Sequence, residues 1–133
     1  TTTPFHFGET ITSDLANYRG DRIYANAPKG EYREQTMEVG SFSPNAFGLY
    51  DMHGNVWEWC QDTWHENYND APADGSAWVD DGDDSNRVLR GGSWHINPEL
   101  CRSASRSNVI GAVRVFDNPD VGFRVVCGVG RDS

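Results

Sequence analysis

The sequence predicts an irregular α+β fold in a single domain, with few short strands and helices joined by long ordered loops. A chain of 133 residues can bury one substantial core but is short for two domains. The 14 glycines, 5 tryptophans, 5 tyrosines and 6 phenylalanines indicate large rings buried beneath many turns. Helical periodicity is scarce, which favours an irregular architecture over a helical one.

Each element has a local signature. Residues 11–18 could carry a short turn, and residues 98–106 are the best helix candidate because Pro98 is tolerated in a first turn. Three β-rich runs between turn signals predict strands at 56–60, 87–90 and 123–127. Residues 62–86 and 108–121 are expected to be long loops, which in compact domains are commonly functional or disordered. The first loop is expected to be tied down by three aromatic anchors, Trp64, Tyr68 and Trp78.

The charge is unevenly divided along the chain. Residues 1–86 hold 4 Lys+Arg and 16 Asp+Glu, a net −12, whereas residues 87–133 hold 7 Arg and 4 Asp+Glu, a net +3. An acidic chain of this kind argues against a nucleic-acid partner. A cation bound in the first part would fit the imbalance, and so would internal pairing of the later arginines with the acids.

Three cysteines, Cys60, Cys101 and Cys127, show no metal-type spacing, and an odd number is poor evidence for a disulfide framework. We therefore expect a cytoplasmic protein. No apolar run approaches the roughly 18 residues that span a bilayer, so no membrane partner is expected. We expect residues 1–133 to form one domain, the C-terminal part of a larger protein, and leave its oligomeric state open.

The stretch GNVWEW at residues 54–59 places an acid between two tryptophans. Glu58 is costly to bury unless something compensates its charge, and an arginine or a cation could do so. Asp51, Gly54, Val56 and Glu58 step along a turn that can wrap an oxygen-preferring ion. Two carboxylates and two backbone carbonyls would suit calcium, so both alternatives stay open on local grounds.

Three blocks occur in order: NAFGLYDMHGNVWEWCQD at residues 45–62, RVLRGGSW at residues 87–94, and CRSASR with GFRVV between residues 101 and 126. Together they resemble the C-terminal half of the formylglycine-generating enzyme (sulfatase-modifying factor) family, over residues 24–126. The resemblance implies an irregular C-type-lectin-like fold. It also implies structural calcium at Asp51, Gly54, Val56 and Glu58.

Enzymes of this family oxidise a substrate cysteine with two of their own cysteines, which bind copper and follow the G-G-S-aromatic motif. The two matching positions here are Ile96 and Cys101. Isoleucine neither binds a soft metal ion nor exchanges thiols. We therefore expect no enzymatic activity and no catalytic residues, with Cys101 serving as a small core residue.

Between Trp94 and Gly122, framework-like residues such as Pro98, Cys101 and Arg106 alternate with residues that follow no periodic rule. An ordinary loop could tuck its aliphatic side chains inward, whereas outward-facing ones would form an apolar interaction patch. The predicted binding residues are His95, Ile96, Asn97, Glu99, Leu100, Ser105, Ser107, Asn108, Val109, Ile110, Gly111, Val113, Val115, Phe116 and Asp117.

The pattern RVLRGGSW, NP, CRSA and GFRVV more closely resembles the variable region of diversity-generating retroelement target proteins, here residues 87–127. In those proteins mutagenic reverse transcription rewrites chosen codons, and a C-type-lectin-type scaffold displays the outcome. The resemblance predicts a non-catalytic ligand-binding domain. We expect a protein ligand from the aliphatic and aromatic content of the segment, because residues 95–121 offer neither the tryptophan or tyrosine nor the paired carboxylates that a sugar favours. The rivals are a copper-dependent cysteine oxidase homologue and a structural accessory domain of a signalling protein.

Overall fold

Four strands form one mixed sheet. The computed structural model describes residues 2–79, 83–110 and 118–126, with the backbone alone for residues 83–85, 109 and 110. The strands are β1 (Trp57–Trp64), β2 (Asp83–Arg90), β3 (Ser107–Ile110) and β4 (Val121–Phe123). Across the sheet they lie in the order β3-β2-β1-β4. The β1–β2 and β2–β3 pairs are antiparallel, whereas β1–β4 is parallel.

The irregular α+β class is confirmed, and strands are found at both 56–60 and 87–90, the first beginning one residue later than predicted. Both strands extend into the stretch predicted as the 62–86 loop, because residues 62–64 and 83–86 pair within the sheet. The bounds predicted for the last strand are wrong, because β4 ends at Phe123. Strand β3 begins one residue before the predicted 108–121 loop, and its other three residues lie within that loop. Its partner is β2, with Val88 opposite Asn108, so a distant segment and not the local sequence makes it a strand.

The predicted helix at residues 98–106 is much shorter than expected. It is a 3-10 helix of four residues, Pro98–Cys101, with the proline in its first turn as predicted. Arg102 has φ −65° and ψ 150°, an extended conformation that ends the helix. Within the described residues no helix is long and apolar enough to cross a membrane.

The hydrophobic core cluster is built outside the strands, mostly by the first part of the chain. Five fully or almost fully buried residues form it: Phe5, Ile11, Ala16, Tyr18 and Cys101. The Tyr18 hydroxyl donates to the carbonyl of Ile11 at 3.1 Å, and burial raises the pKa of this phenol to about 12. The cluster therefore anchors the 3-10 helix, through Cys101, to the N-terminal segment.

The predicted tight turn at Gly54-Asn55 is where three segments meet. The Asn55 amide donates to the Asn17 carbonyl at 2.7 Å, and the Gly54 amide donates to the Gly91 carbonyl at 2.8 Å. Gly54 has a φ of 83°, and a Cβ there would lie 2.2 Å from the Asn17 carbonyl oxygen. Only glycine therefore fits at position 54, where the turn passes the backbone of Asn17 just before β1 begins.

Candidate ligand-binding segment and candidate cation site

The segment 93–101, between the end of β2 and the end of the 3-10 helix, alternates buried anchors with exposed side chains. Ser93 and Cys101 are completely buried, and Pro98 is buried between them. Gly92 has a φ of 78° and passes so close to Cys101 that a Cβ would lie 2.5 Å from its sulfur. Between these anchors the exposed predicted residues are His95, Asn97, Glu99 and Leu100.

A cluster of three polar side chains fixes the start of this segment. The buried Ser93 hydroxyl donates to Oδ2 of the buried Asp120 at 2.7 Å, and Nδ1 of His95 lies 3.2 Å from the same oxygen. The Asp120 carboxylate is thus compensated by a hydroxyl and an imidazole. Ser93 is buried and its proton points to Asp120, so this trio positions His95 at the surface and does not present a serine nucleophile.

Asp120 was not singled out from the sequence. The two residues of the Ser93–Asp120 contact are 27 positions apart, so no local spacing could reveal it. The only signal was Asp120 itself, an acid just before the β-rich GFRVV run.

Aromatic packing supports the other side of the same segment. The Tyr32 ring stacks on Trp94 with centroids 6.2 Å apart, and the Arg19 guanidinium lies 5.5 Å from the Tyr32 centroid. The Arg19 amide donates to the Ile96 carbonyl at 3.1 Å. Ile96 is half-buried, so its backbone is held and its side chain is only partly available.

Other predicted binding residues have different surroundings. Ser105 is 7% exposed, so its expected surface position is wrong: its carbonyl accepts from Arg90 Nη1 at 2.9 Å inside the fold. Ser107 is half-buried and Asn108 exposed, both on β3. Val109 and Ile110 complete β3, where only their backbone is described. Outside the described residues lie Gly111, Val113, Val115, Phe116 and Asp117.

The candidate cation site is a single cavity at the Gly54 turn. Asp51, Gly54, Val56 and Glu58 all line this cavity of about 300 Å³, together with Arg124. The guanidinium of Arg124 donates to both Glu58 oxygens, at 2.9 and 2.6 Å, and to the Tyr50 carbonyl at 2.8 Å. The structure therefore brings the four predicted residues together and supplies the arginine partner.

The donor set suits calcium in kind but is already engaged in part. Asp51 Oδ2 accepts from the Gly40 amide at 2.8 Å, and both Glu58 oxygens accept from Arg124. Within the described residues no three His, Cys, Asp or Glu side chains cluster as metal ligands. An ion here would rely on backbone carbonyls and would have to share Glu58 with a guanidinium.

Cys101 has the environment of a core residue. Its side chain is fully buried, and burial raises the pKa of the thiol to about 12. Cys60, half-buried on β1, is also a free thiol, with a pKa raised by burial. The partner position, Ile96, carries no sulfur, so Cys101 has no thiol at the spacing that copper chemistry of this kind uses.

Comparison with known proteins gives consistent results. Residues 3–129 match the model of the "Sulfatase-modifying factor enzyme 1-like domain". The formylglycine-generating enzyme of Thermomonospora curvata is 33% identical to this chain over 67% of this chain's length. The serine/threonine-protein kinase pkn1 of Chlamydia caviae is 38% identical over 92% of this chain's length. The solved Treponema denticola variable protein 1 superimposes with a TM-score of 0.58 at 32% identity, over 83% of this chain.

The matches cover only part of the similar proteins. The chain spans 30% of the formylglycine-generating enzyme, 17% of the kinase and 34% of the variable protein chain. The family model nevertheless covers almost the whole chain, and the RGGSW, GNVWEW and GFR blocks occupy the segments that build the sheet and the 93–101 segment. The chain belongs to the sulfatase-modifying factor family of domains.

Proposed function

We propose that this chain is the non-catalytic ligand-binding domain of a diversity-generating retroelement variable protein. The observation that carries the proposal is the alternation in segment 93–101, where four exposed predicted residues sit on a backbone fixed by Ser93, Pro98 and Cys101. Side chains at such positions can change without disturbing the core. The similarity to Treponema denticola variable protein 1 supports the same proposal.

The proposed ligand is a protein surface. Leu100 is 42% exposed beside the exposed Asn97 and Glu99, which gives an apolar centre with a polar border. The further aliphatic residues predicted for this surface, such as Val113 and Val115, lie outside the described residues. Because Cys60 and Cys101 are free thiols, a cytoplasmic location is part of the proposal.

We propose that the domain is non-catalytic because of the residues at positions 96 and 101. Ile96 replaces the first of two cysteines, and Cys101 is buried with a thiol pKa raised to about 12. A buried thiol that stays protonated does not attack a disulfide efficiently. Similarity to formylglycine-generating enzymes keeps a cysteine oxidase as the rival, and it predicts oxidation of a cysteine-containing peptide.

Calcium at the Gly54 turn is a separate proposal, supported by the shared cavity and by oxygen-only donors. Asp51 and Glu58 would supply carboxylate oxygens, and Gly54 and Val56 would supply carbonyls. The ion would stabilise the Gly54-Asn55 turn, which precedes β1.

The neighbouring DNA tests the retroelement. We expect a near-identical repeat of the codons for residues 87–126, differing only at adenines and lying beside a reverse transcriptase gene. A genome without such a repeat would overturn the proposal. It would leave an accessory domain of a signalling protein, which the similarity to the pkn1 kinase favours.

A second test asks whether the segment tolerates diversity. Randomising His95, Asn97, Glu99 and Leu100 in a displayed library is expected to leave most members resistant to protease. Randomising the matched buried positions Ser93, Pro98 and Cys101 is expected to abolish resistance, because each fills the interior. Equal loss in both libraries would show that the exposed positions are structural.

A further inference from the structure

A polar cleft lies outside the 93–101 segment. Its volume is about 580 Å³, and the loop that follows β1 supplies most of its described lining residues, together with Asn108 of β3. The residues that carry its chemistry are Trp64, Asn67, Asn69, Asp70, Trp78 and Asn108. Of these, only Asn108 belongs to the predicted binding residues.

Hydrogen bonds hold Trp78 in the cleft wall. Its carbonyl accepts from the Thr63 amide at 3.0 Å, and its amide donates to Asp62 Oδ1 at 3.1 Å. The His65 ring stacks on the indole at 3.5 Å between centroids, within 6° of parallel. The long loop is thus tied to β1 at its far end, as expected from its aromatic residues.

Arg106 fixes the near end of the same loop. Its guanidinium lies 4.6 Å from the Trp64 centroid and 4.4 Å from the Tyr68 centroid, and it donates to the carbonyls of His65 and Glu66. Cation–π contacts and hydrogen bonds together make the Trp64 side of the cleft rigid before any ligand arrives.

The amide-bearing part of the wall has a constrained backbone. The Asn67 side-chain oxygen accepts from the Asn69 amide at 2.8 Å, which closes a local turn. Asp70 has a φ of 65°, a left-handed conformation that costs free energy in a non-glycine residue and is concentrated at functional sites. Asn69 and Asp70 are both exposed.

The charge of the lining selects against several ligand classes. Among the described lining residues Glu66 and Asp70 are acidic and His65 alone has a basic side chain, so these residues offer a phosphate or carboxylate ligand no arginine or lysine. Within the described residues no three acids, histidines or cysteines gather as metal ligands. What remains is a neutral molecule with many hydroxyls, because amides donate and accept at once and indole faces pack against C–H groups.

We propose that this cleft binds a neutral saccharide, with Trp64 and Trp78 against its apolar faces and Asn69, Asp70 and Asn108 bonded to its hydroxyls. Apart from Asn108, the site lies outside the proposed diversified surface. It would exist in a member of this family that had no retroelement, because five of the six residues lie in the 62–86 loop and its flanks.

Intrinsic tryptophan fluorescence and calorimetry test the proposal on the unmodified protein. The probes are methyl glucoside, methyl mannoside, methyl galactoside, N-acetylglucosamine, cellotetraose and xylotetraose, with a heparin tetrasaccharide as the polyanionic comparison. We expect saturable binding of at least one neutral probe and none of the heparin fragment. If no neutral probe binds, or if only heparin does, the proposal is overturned.

Two variants locate the site. Asn69→Ala removes an exposed amide, and Asp70→Gly removes the carboxylate while keeping a residue that adopts the left-handed backbone. Each is expected to weaken binding by roughly 3- to 10-fold, the effect of one lost hydrogen bond. Circular dichroism checks that each variant folds. One folded variant is enough to show whether a change in the cleft weakens saccharide binding.

Asn26→Ala is the matched control, because Asn26 is an exposed amide that belongs neither to the cleft lining nor to the predicted binding residues. It is expected to bind the probe as the parent does. If Asn97→Ala, on the 93–101 segment, loses binding while the cleft variants keep it, the saccharide occupies the diversified surface and the cleft proposal fails. A missing template repeat in the DNA would overturn only the retroelement proposal.

Discussion

Arg124 of the GFRVV run holds both carboxylate oxygens of Glu58, with Nε 2.9 Å from Oε2 and Nη2 2.6 Å from Oε1. The hydrogen bonds to Glu58 raise the pKa of this arginine further above its ordinary value. The two side chains are 32% and 21% exposed, so the pair is partly shielded from water. The pair joins the segment after β4 to β1. It also compensates the charge of Glu58, which lies between two tryptophans.

Removing Arg124 should therefore destabilise the fold. We expect Arg124→Ala to lower the free energy of unfolding by about 1–2 kcal/mol, more than a typical surface pair contributes. Urea denaturation measures the difference. Asp21→Ala is the matched control, since the Arg19–Asp21 pair is more exposed and makes a single contact of 3.3 Å, and this variant leaves the Arg19–Tyr32 contact in place. Equal losses in both variants would show that the Glu58 pair contributes no more than a surface pair.

The same variant tests calcium. If the Gly54 turn binds the ion, removal of Arg124 frees the Glu58 oxygens, so calcium should raise the melting temperature of Arg124→Ala more than that of the parent. Glu58→Gln should show a smaller rise than either. Melting temperatures that do not respond to calcium or to chelation in any of the three proteins would contradict a calcium site here.

The buried thiol gives a chemical prediction. Because Cys101 is fully buried and the pKa of its thiol is raised to about 12, iodoacetamide at neutral pH should leave it unmodified in the folded protein. Cys60 is half-buried with a pKa raised by burial, so it should react slowly but measurably. Peptide mass spectrometry after timed alkylation distinguishes the two sites. Rapid modification of Cys101 would favour the oxidase alternative, which requires a reactive thiolate.

The predictions that the structure confirms rest on residue types whose preferred local structure does not depend on distant partners. Gly54-Asn55 predicted a tight turn, and the turn lies where β1 begins. The aromatic anchors predicted that the loop after β1 is tied down, and Trp78 is hydrogen-bonded to Asp62 and Thr63 of β1. Pro98 predicted a first helical turn and occupies one.

The failures have a common physical cause, which is that the deciding partner is far away along the chain. Residues 107–110 form β3 only because they pair with β2. Ser105 is buried because Arg90, on β2, bonds to its carbonyl. Asp120 is buried beneath Ser93 and His95, and the cleft needs Asn108 of β3 beside the 62–86 loop. Such contacts are properties of the tertiary structure and leave no periodic trace in the sequence.

Gly54 and Gly75 both have a left-handed backbone conformation but differ in the space around them. Substituting each one therefore distinguishes the cost of a steric clash from the cost of backbone strain. Gly54 has a φ of 83° and a Cβ there would lie 2.2 Å from the Asn17 carbonyl oxygen, whereas Gly75 has a φ of 81° and open space around it. We expect Gly75→Ala to cost about 1 kcal/mol, from the left-handed backbone alone. Gly54→Ala should cost on the order of 3 kcal/mol or more, because backbone must also move. Thermal denaturation of both variants measures the difference, and similar costs would show that the Gly54 crossing relaxes easily.

Acid should destabilise the fold through His53. This ring is buried, its Nδ1 lies 2.7 Å from the Cys101 carbonyl, and its Nε2 accepts from the His6 amide at 3.1 Å. That arrangement requires the neutral ring with its proton on Nδ1. Burial, with a smaller effect of His6, lowers the pKa of His53, and burial also lowers the pKa of His6.

The direction of the pH effect follows from these lowered values. Above the unfolded pKa of 6.5 both histidines are neutral in the folded and the unfolded chain, so their stability contribution is complete. As the pH falls below 6.5, the unfolded chain takes up protons first, and the free energy of unfolding decreases until the folded pKa is passed. Urea denaturation between pH 8 and about pH 5 measures the slope. His53→Asn keeps a donor toward the Cys101 carbonyl but does not titrate, so it should be less stable than the parent at pH 8 and lose less stability on acidification. A parent-like slope in this variant would assign the acid sensitivity to other groups.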